Sequence, residues 1–354
     1  MEQAIASLES AKYGLCFSSG SAATATVLHS LKPGSHLISL SDVYGGTYRY
    51  MTRVASEHGV EVSFFGFNNG AKKVSHVEAI RNLYRPEVTK MVWIETPSNP
   101  TLSLVDIAEI ATVTRELGLI LVCDNTFLSP YLCNPLTLGA NIVLHSVTKY
   151  INGHSDVLMG ALAMNDDALY ERLKFLQNAI GAVPSPFDCF LAQRGLKTLH
   201  LRMRASSHSA LTIAKALEAS PHVQAVRYPG LESHPQHGLS NKQHRNGMGG
   251  GMVSFRIRGG EAAVDRFVTG TQIFTLAESL GGIESLCEVP ARMTHASIPK
   301  PHREESGVYD NLIRLSCGCE ETDDLVRDVL ESLEKAVLAE EGYATRSVSE
   351  TSDE

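Results

Sequence analysis

The chain has 354 residues, 43% of them hydrophobic and 20% charged, with a formal net charge of -8. That suffices for one large or two medium domains around real cores, and the composition excludes a disordered or low-complexity chain. The acidity excludes nucleic acid as the main partner, since a phosphate backbone needs clustered Lys and Arg.

In chain order, the first half alternates short apolar runs with amphipathic stretches. His36–Leu40, Val62–Phe67, Lys90–Glu95, Leu119–Asp124 and Asn141–Val147 read as strands, several of them apolar on both faces. Ser21–Leu31, Gly46–His58, His76–Leu83 and Asp106–Leu117 read as helices. This alternation predicts an α/β domain with a mostly parallel sheet, over residues 1–200. Beyond it the texture changes to a long helix over Leu201–Ala219 and strands at Val226–Tyr228, Gly251–Arg258 and Leu312–Cys317. Helices follow at Ala262–Phe267 and Asp323–Glu340. A smaller C-terminal α+β domain is expected over 201–343, with a disordered polar tail over 344–354. No apolar run of about 18 residues occurs, so no membrane-spanning helix is expected. The acid-bearing MEQAIASLES predicts no signal peptide. Seven scattered cysteines with no CxxC pair predict free thiols, no metal site and, by elimination, a cytoplasmic protein.

Four features fall at strand ends, where α/β sheets gather ligands. Ser18-Ser19-Gly20-Ser21 leads small residues into a helix whose first amides can bind an anion. Asp124 ends an apolar strand; Thr126 shares its face by period-two geometry. Lys149 follows another apolar run, where an amine must be paired, neutral or covalently used; Ser146 and Thr148 stand on one face before it. Tyr44 precedes Gly45 and Gly46, which allow a tight turn and a flat ring for stacking. Each alone also reads as ordinary structure: a capped helix, a strand-end turn, a snorkelling lysine, a turn tyrosine on the core. Together they supply an anion cradle, a stacking ring, a carboxylate for a pyridinium and an amine for an aldehyde. Pyridoxal phosphate needs these four parts.

The run SVTKYINGHSDVLMG, starting at Ser146, resembles the lysine motif of the Cys/Met-metabolism pyridoxal-phosphate family. AKYGLCFSSGSAAT, DVYGGTYRY, WIETPSNPT, DNTFLSPY, GLKTLHLRM, YPGLESHPQH, FTLAESLGGIESL, MTHAS and IRLSCG are similar to that family in the same order, from about residue 5 to 340. The resemblance implies the aspartate-aminotransferase type of pyridoxal-phosphate fold (fold type I). It makes Lys149 the covalent anchor of the cofactor and the proton shuttle, and Asp124 the partner of the ring nitrogen. Ser19, Gly20, Ser21, Ser146 and Thr148 would surround the phosphate, with Thr126 beside the ring. Tyr44 would stack and protonate the leaving group, and Asn99 would lie near the ring hydroxyl. Arg314 would clamp the substrate carboxylate, Ser279 would help position it and Thr294 would orient the arginine. Glu278 would meet the distal ammonium of cystathionine.

Family members eliminate or replace sulfur substituents of amino acids. The pairs Tyr44-Gly45 and Glu278-Ser279 are similar to members acting on cystathionine, so the expected reaction is its cleavage to cysteine, 2-oxobutanoate and ammonia. A γ-replacement enzyme and a non-catalytic paralogue are the alternatives. A sulfur amino acid as substrate and a homotetramer built as a dimer of dimers are likewise implied. The resemblance also implies an upstream Tyr-x-Arg segment reaching a neighbouring subunit's phosphate. No equivalent stands ahead of the first motif in the sequence given, so the expectation is either a truncated chain or a phosphate held by fewer groups.

Overall fold

The computed structural model describes residues 1–66, 74–296 and 299–350, with side chains described to residue 339. The chain forms two compact units. One comprises Met1–Asn99, Ser103–His200 and Asn241–Asn246; the other comprises Pro100–Leu102, Leu201–Ser240 and Gly247–Glu354.

The first unit is built on β1 (Tyr13–Phe17), β2 (His36–Leu40), β3 (Glu61–Phe65), β4 (Thr89–Glu95), β5 (Ile120–Asp124), β6 (Ile142–Ser146) and β7 (Gly160–Met164). They form one sheet in the order β1-β7-β6-β5-β4-β2-β3. Neighbours from β3 to β6 are parallel, and β7 runs against both β6 and β1. Met91, Val92, Trp93 and Ile94 are all 0% exposed, so β4 is buried on both faces, as a strand in a covered parallel sheet must be. The five sequence-read strands are present within a residue or two at their ends; Phe67 lies outside the described residues. β7 (GALAM) carries little strand signal, because it has no β-branched or aromatic side chain to favour a pleated surface; β1 (YGLCF) does carry Tyr13 and Phe17 but is a single five-residue run broken by Gly14.

Helices of this unit are α1 (Glu2–Leu8), α2 (Gly20–His29), α3 (Gly45–Tyr50), α4 (His76–Leu83), α5 (Ile107–Glu116), α6 (Ser129–Leu132), α7 (Asp167–Ile180) and α8 (Pro186–Leu196). Side chains of Ser19, Ser75, Asp106, Asp166 and Ser185 each accept an amide at the start of α2, α4, α5, α7 and α8, satisfying a donor that the helix leaves orphaned. The stretch read as one helix over Gly46–His58 is not uniform: after α3 it widens at Met51–Ala55 and tightens at Ser56–His58.

The second unit holds β8 (Val223–Arg227), β9 (Met252–Ile257), β10 (Thr275–Leu276), β11 (Leu286–Glu288) and β12 (Leu312–Ser316), in the order β10-β11-β12-β9-β8. All its pairings are antiparallel except β10 with β11. Four helices, α10 (His237–Gln243), α11 (Glu261–Gly270), α12 (Lys300–Glu305) and α13 (Thr322–Glu350), follow α9 (Leu199–Ala219). Phe255 meets Phe267 edge to face with centroids 5.5 Å apart. Leu325, Val329 and Leu333 of α13, four residues apart, lie buried in the same core. α13 continues through Glu350, so the stretch read as a frayed tail is helical up to that residue.

Candidate active site

β1, β2, β4, β5 and β6 run the same way, so the residues after each emerge at one edge of the sheet. The candidates follow these ends. Gly20 and Ser21 open α2 after β1, and Tyr44 precedes α3 after β2. Asn99 follows β4, Asp124 ends β5, Ser146 ends β6, and Lys149 lies in the turn just beyond it.

The α2 end of the site is closely packed. A Cβ on Gly20 would lie 3.2 Å from the Cβ of Ser146, and one on Gly160 only 2.2 Å from the carbonyl oxygen of Ser19. Glycine therefore lets the start of α2 settle against the end of β6, leaving its first-turn amides beside Ser146. The Ser19 hydroxyl caps the helix, accepting from Ala22 N at 3.0 Å.

Asp124 is 7% exposed. Its Oδ1 accepts from Thr126 N at 3.0 Å and from Thr126 Oγ1 at 2.6 Å. Thr126 Oγ1 in turn accepts from Ser146 N at 2.9 Å. Thr126 thus reaches Asp124 around a turn after the strand has ended, not along a pleat. Both Thr126 bonds to Asp124 fall on Oδ1 rather than Oδ2. Burial pushes Asp124 above the ordinary carboxylate range, against the two Thr126 bonds and the nearby His145. A cation at Oδ2, such as a protonated ring nitrogen, would offset that burial. Together with the α2 amides and Ser146, the donor set fits pyridoxal phosphate.

Lys149 is half-buried in a turn shaped by backbone bonds. Its N–H donates to Ser146 O at 3.1 Å, and Gly153 N donates to its carbonyl at 2.8 Å. Asn152 N closes on Val147 O at 2.9 Å, and a Cβ on Gly195 would come within 2.1 Å of Asn152 O. Gly195→Ala should therefore force the lysine turn to move and destabilise the protein by roughly 2 kcal/mol; denaturant unfolding measures this, and an unchanged midpoint contradicts it. Thr148 does not stand on a strand face with Ser146. Its hydroxyl bridges the backbone of Met159, accepting from N at 3.0 Å and donating to O at 3.3 Å.

Tyr44 is 48% exposed. Gly45 and Gly46 are the first residues of α3, not a separate turn, and a Cβ on Gly46 would stand 2.4 Å from the Tyr44 ring. Asn99 is buried. Two acids in this unit escaped the sequence reading. Glu95, at the end of β4, accepts from Tyr44 N at 2.8 Å. Glu9, after α1, bonds His145 Nε2 at 2.5 Å and Asn125 Nδ2 at 3.2 Å, with acid and imidazole both fully buried.

The second unit carries the other candidates. Arg314 on β12 is 1% exposed and stands in register with Glu288 on β11, with which it forms a buried ion pair. Its Nη2 also donates to the carbonyls of Glu278 at 2.9 Å and Ser279 at 3.0 Å. Thr294 acts on this pair through Glu288, to which its hydroxyl donates and its amide donates at 3.3 Å. Burial raises Glu288 above the usual carboxylate range, while Arg314 and Thr294 pull it down. Glu278 and Ser279 have exposed side chains. Glu288 is thus the missing support of the arginine; its only sequence signal is an acid in an otherwise apolar strand.

Comparison with known proteins places these residues in a family context. Residues 1–334 match the Cys/Met metabolism PLP-dependent enzyme family. The chain is 57% identical over 341 residues to a cystathionine gamma-lyase of Saccharomyces cerevisiae, covering 95% of this chain and 84% of that protein. It is 50% identical over 337 residues to a cystathionine gamma-lyase of Homo sapiens, covering 95% and 81%. The crystal structure of the yeast cystathionine gamma-lyase superposes with a TM-score of 0.90 over 95% of this chain and 84% of that one. That of metB from Corynebacterium glutamicum, 45% identical, gives 0.87 over 94% and 84%.

Proposed function

This chain belongs to the Cys/Met metabolism PLP-dependent enzyme family, and from that premise we propose that it cleaves L-cystathionine at the bond between sulfur and the γ-carbon. With one water consumed, the products are L-cysteine, 2-oxobutanoate and ammonia. The observation that carries the substrate choice is the likeness to cystathionine gamma-lyases along 95% of the chain. The local geometry supports the chemistry.

Pyridoxal phosphate, when bound, supplies an aldehyde for the substrate amine and a ring that withdraws electron density from Cα. The α2 amides of Gly20 and Ser21, with Ser146, would hold its phosphate, Thr148 would stand beside it with its hydroxyl shared with the Met159 backbone, and Ser19 keeps the helix start in place. Asp124 would take the ring nitrogen, with Thr126 steadying Asp124; Tyr44 would stack on the ring and Asn99 would take the ring hydroxyl. The amine of Lys149 would anchor the aldehyde until the substrate amine displaces it and, once free, would take the proton from Cα and act at Cβ. The Tyr44 phenol delivers a proton to the departing sulfur. Arg314 holds the α-carboxylate as a charge-assisted partner, with Ser279 alongside. Glu278, exposed and acidic, meets the distal ammonium.

Incubation with cystathionine, homocysteine and cysteine tests the reading. Equimolar cysteine and 2-oxobutanoate from cystathionine support it; sulfur transfer onto an activated homoserine means γ-replacement instead. Failure to bind pyridoxal phosphate at all means a non-catalytic chain. Glu278→Ala should raise KM for cystathionine about 10-fold while cofactor affinity holds; equal loss of both contradicts its assignment.

The homotetramer belongs to the same reading. Phe175, Ile180, Val183, Phe187 and Phe190 stand exposed on α7, α8 and the segment between them, an apolar surface of the kind a partner subunit covers. A cytoplasmic setting is proposed from the seven free cysteines. Among the described residues no helix is long and apolar enough to cross a membrane.

A further inference from the structure

We infer that Glu95 is the residue that positions the stacking ring of Tyr44: seated in register beside Asp124, its carboxyl takes the Tyr44 amide and fixes the turn on which the ring stands. The inference rests on the reading of Tyr44 as the ring over pyridoxal phosphate. Glu95 ends β4, 5% exposed, and pairs in register with Asp124 on the parallel β5. Its Oε2 accepts from Tyr44 N at 2.8 Å. Tyr44 needs such a tie. The residue is 48% exposed, so packing holds it only in part, and its backbone sits at the N-cap position of α3 with φ -46 and ψ 132. The bond to Glu95 anchors that residue to the sheet strand adjoining the one that carries Asp124.

The register has a second effect. Two carboxyls at the ends of neighbouring strands cannot both ionise in a buried place. Burial drives Glu95 well above the usual range; Asp124 and Asp42 add to this, and the Tyr44 amide opposes it. Asp124 has two Thr126 bonds favouring its charged form. Burial pushes both acids up, Glu95 the further, so we assign the proton to Glu95 and leave the charge to Asp124. Glu95 serves as a neutral acceptor for Tyr44, and Asp124 keeps the single negative charge for the ring nitrogen. A neutral amide of the same shape can replace such a group.

The experiment compares Glu95→Gln and Glu95→Leu in the holoenzyme. Cofactor affinity is read by quenching of Trp93, the sole tryptophan of the chain and two positions before Glu95. The pose of the bound ring is read by circular dichroism in the cofactor's absorption band. Glu95→Gln should hold pyridoxal phosphate within about 3-fold of wild type, with the same dichroic band. Glu95→Leu should loosen it about 10-fold and change the band, since one hydrogen bond and the turn it holds are lost. In a Tyr44→Ala background, Glu95→Leu should cost no further affinity, because the ring it positions is gone. The inference is overturned if Glu95→Leu keeps wild-type affinity and band, if Glu95→Gln is as loose as Glu95→Leu, or if the two losses simply add. Should Glu95→Leu not fold, Glu95→Gln decides: retained affinity and band uphold the inference, and loss of either overturns it. A wild-type protein that binds no pyridoxal phosphate refutes the proposed function instead, before any variant is compared.

Discussion

Lys149→Ala is expected to reduce turnover of cystathionine by at least about 10³-fold, because a positioned general base contributes some 10²–10⁴ and the covalent anchor is removed with it. The fold should survive. Lys149 is half-buried, and its turn is held by backbone bonds from Ser146 to Gly153 that an alanine preserves. Pyridoxal phosphate should wash out on gel filtration of the variant but stay with the wild-type protein. Lys149→Arg separates charge from chemistry: it keeps a cation but supplies no amine for the aldehyde, so its loss should match that of alanine. Turnover above about one hundredth of wild type in Lys149→Ala would place the base elsewhere.

Arg314 offers the second large effect, on two observables at once. Its guanidinium and the Glu288 carboxylate are 1% and 0% exposed. Arg314→Ala would leave that acid buried and unpaired, a change that typically destabilises by about 3–5 kcal/mol. Arg314→Lys keeps a charge but loses the planar fork, and should lower kcat/KM about 10²-fold, mainly through KM. The double variant Arg314→Leu, Glu288→Leu tests the partition. Apolar side chains in place of both ions should restore much of the stability, while turnover stays lost because nothing remains to hold the α-carboxylate. Denaturant unfolding and steady-state kinetics measure the two effects. An Arg314→Lys protein with wild-type kcat/KM would refute the clamp, and a fully stable Arg314→Ala protein would refute the buried pair as a structural element.

The sequence made the central strands legible because they are buried on both faces and read as continuous apolar runs, as in Met91–Ile94. β7 was not legible, since GALAM carries no β-branched or aromatic residue. Lys149, Asp124 and Gly20 could be placed along the sheet edge because each stands at or just beyond a strand end, and strand ends are visible. What supports them could not. Glu95 lies 51 positions from Tyr44, and Glu9 lies 136 from His145. Glu288 meets Arg314 only through the β11–β12 register. Those contacts are set by which strands become neighbours, information that no single segment carries. Period-two reasoning also misplaced Thr126 and Thr148, because it assumed the strands continued beyond Asp124 and Ser146, where both have already ended.

The chain of bonds from the Ser146 amide through the Thr126 hydroxyl to Asp124 Oδ1 acts as a ruler. It locks the anion end of the site to the carboxylate end by two short links of 2.9 and 2.6 Å, so the span between them is fixed before any ligand arrives. Under the proposed function, a guest would need its phosphate and its basic nitrogen at that separation to satisfy both poles at once. The phosphate-free aldehyde reaches only one. The proposed function would make vitamer selection a matter of length as much as of charge, with Thr126, which links the two poles, setting the gauge.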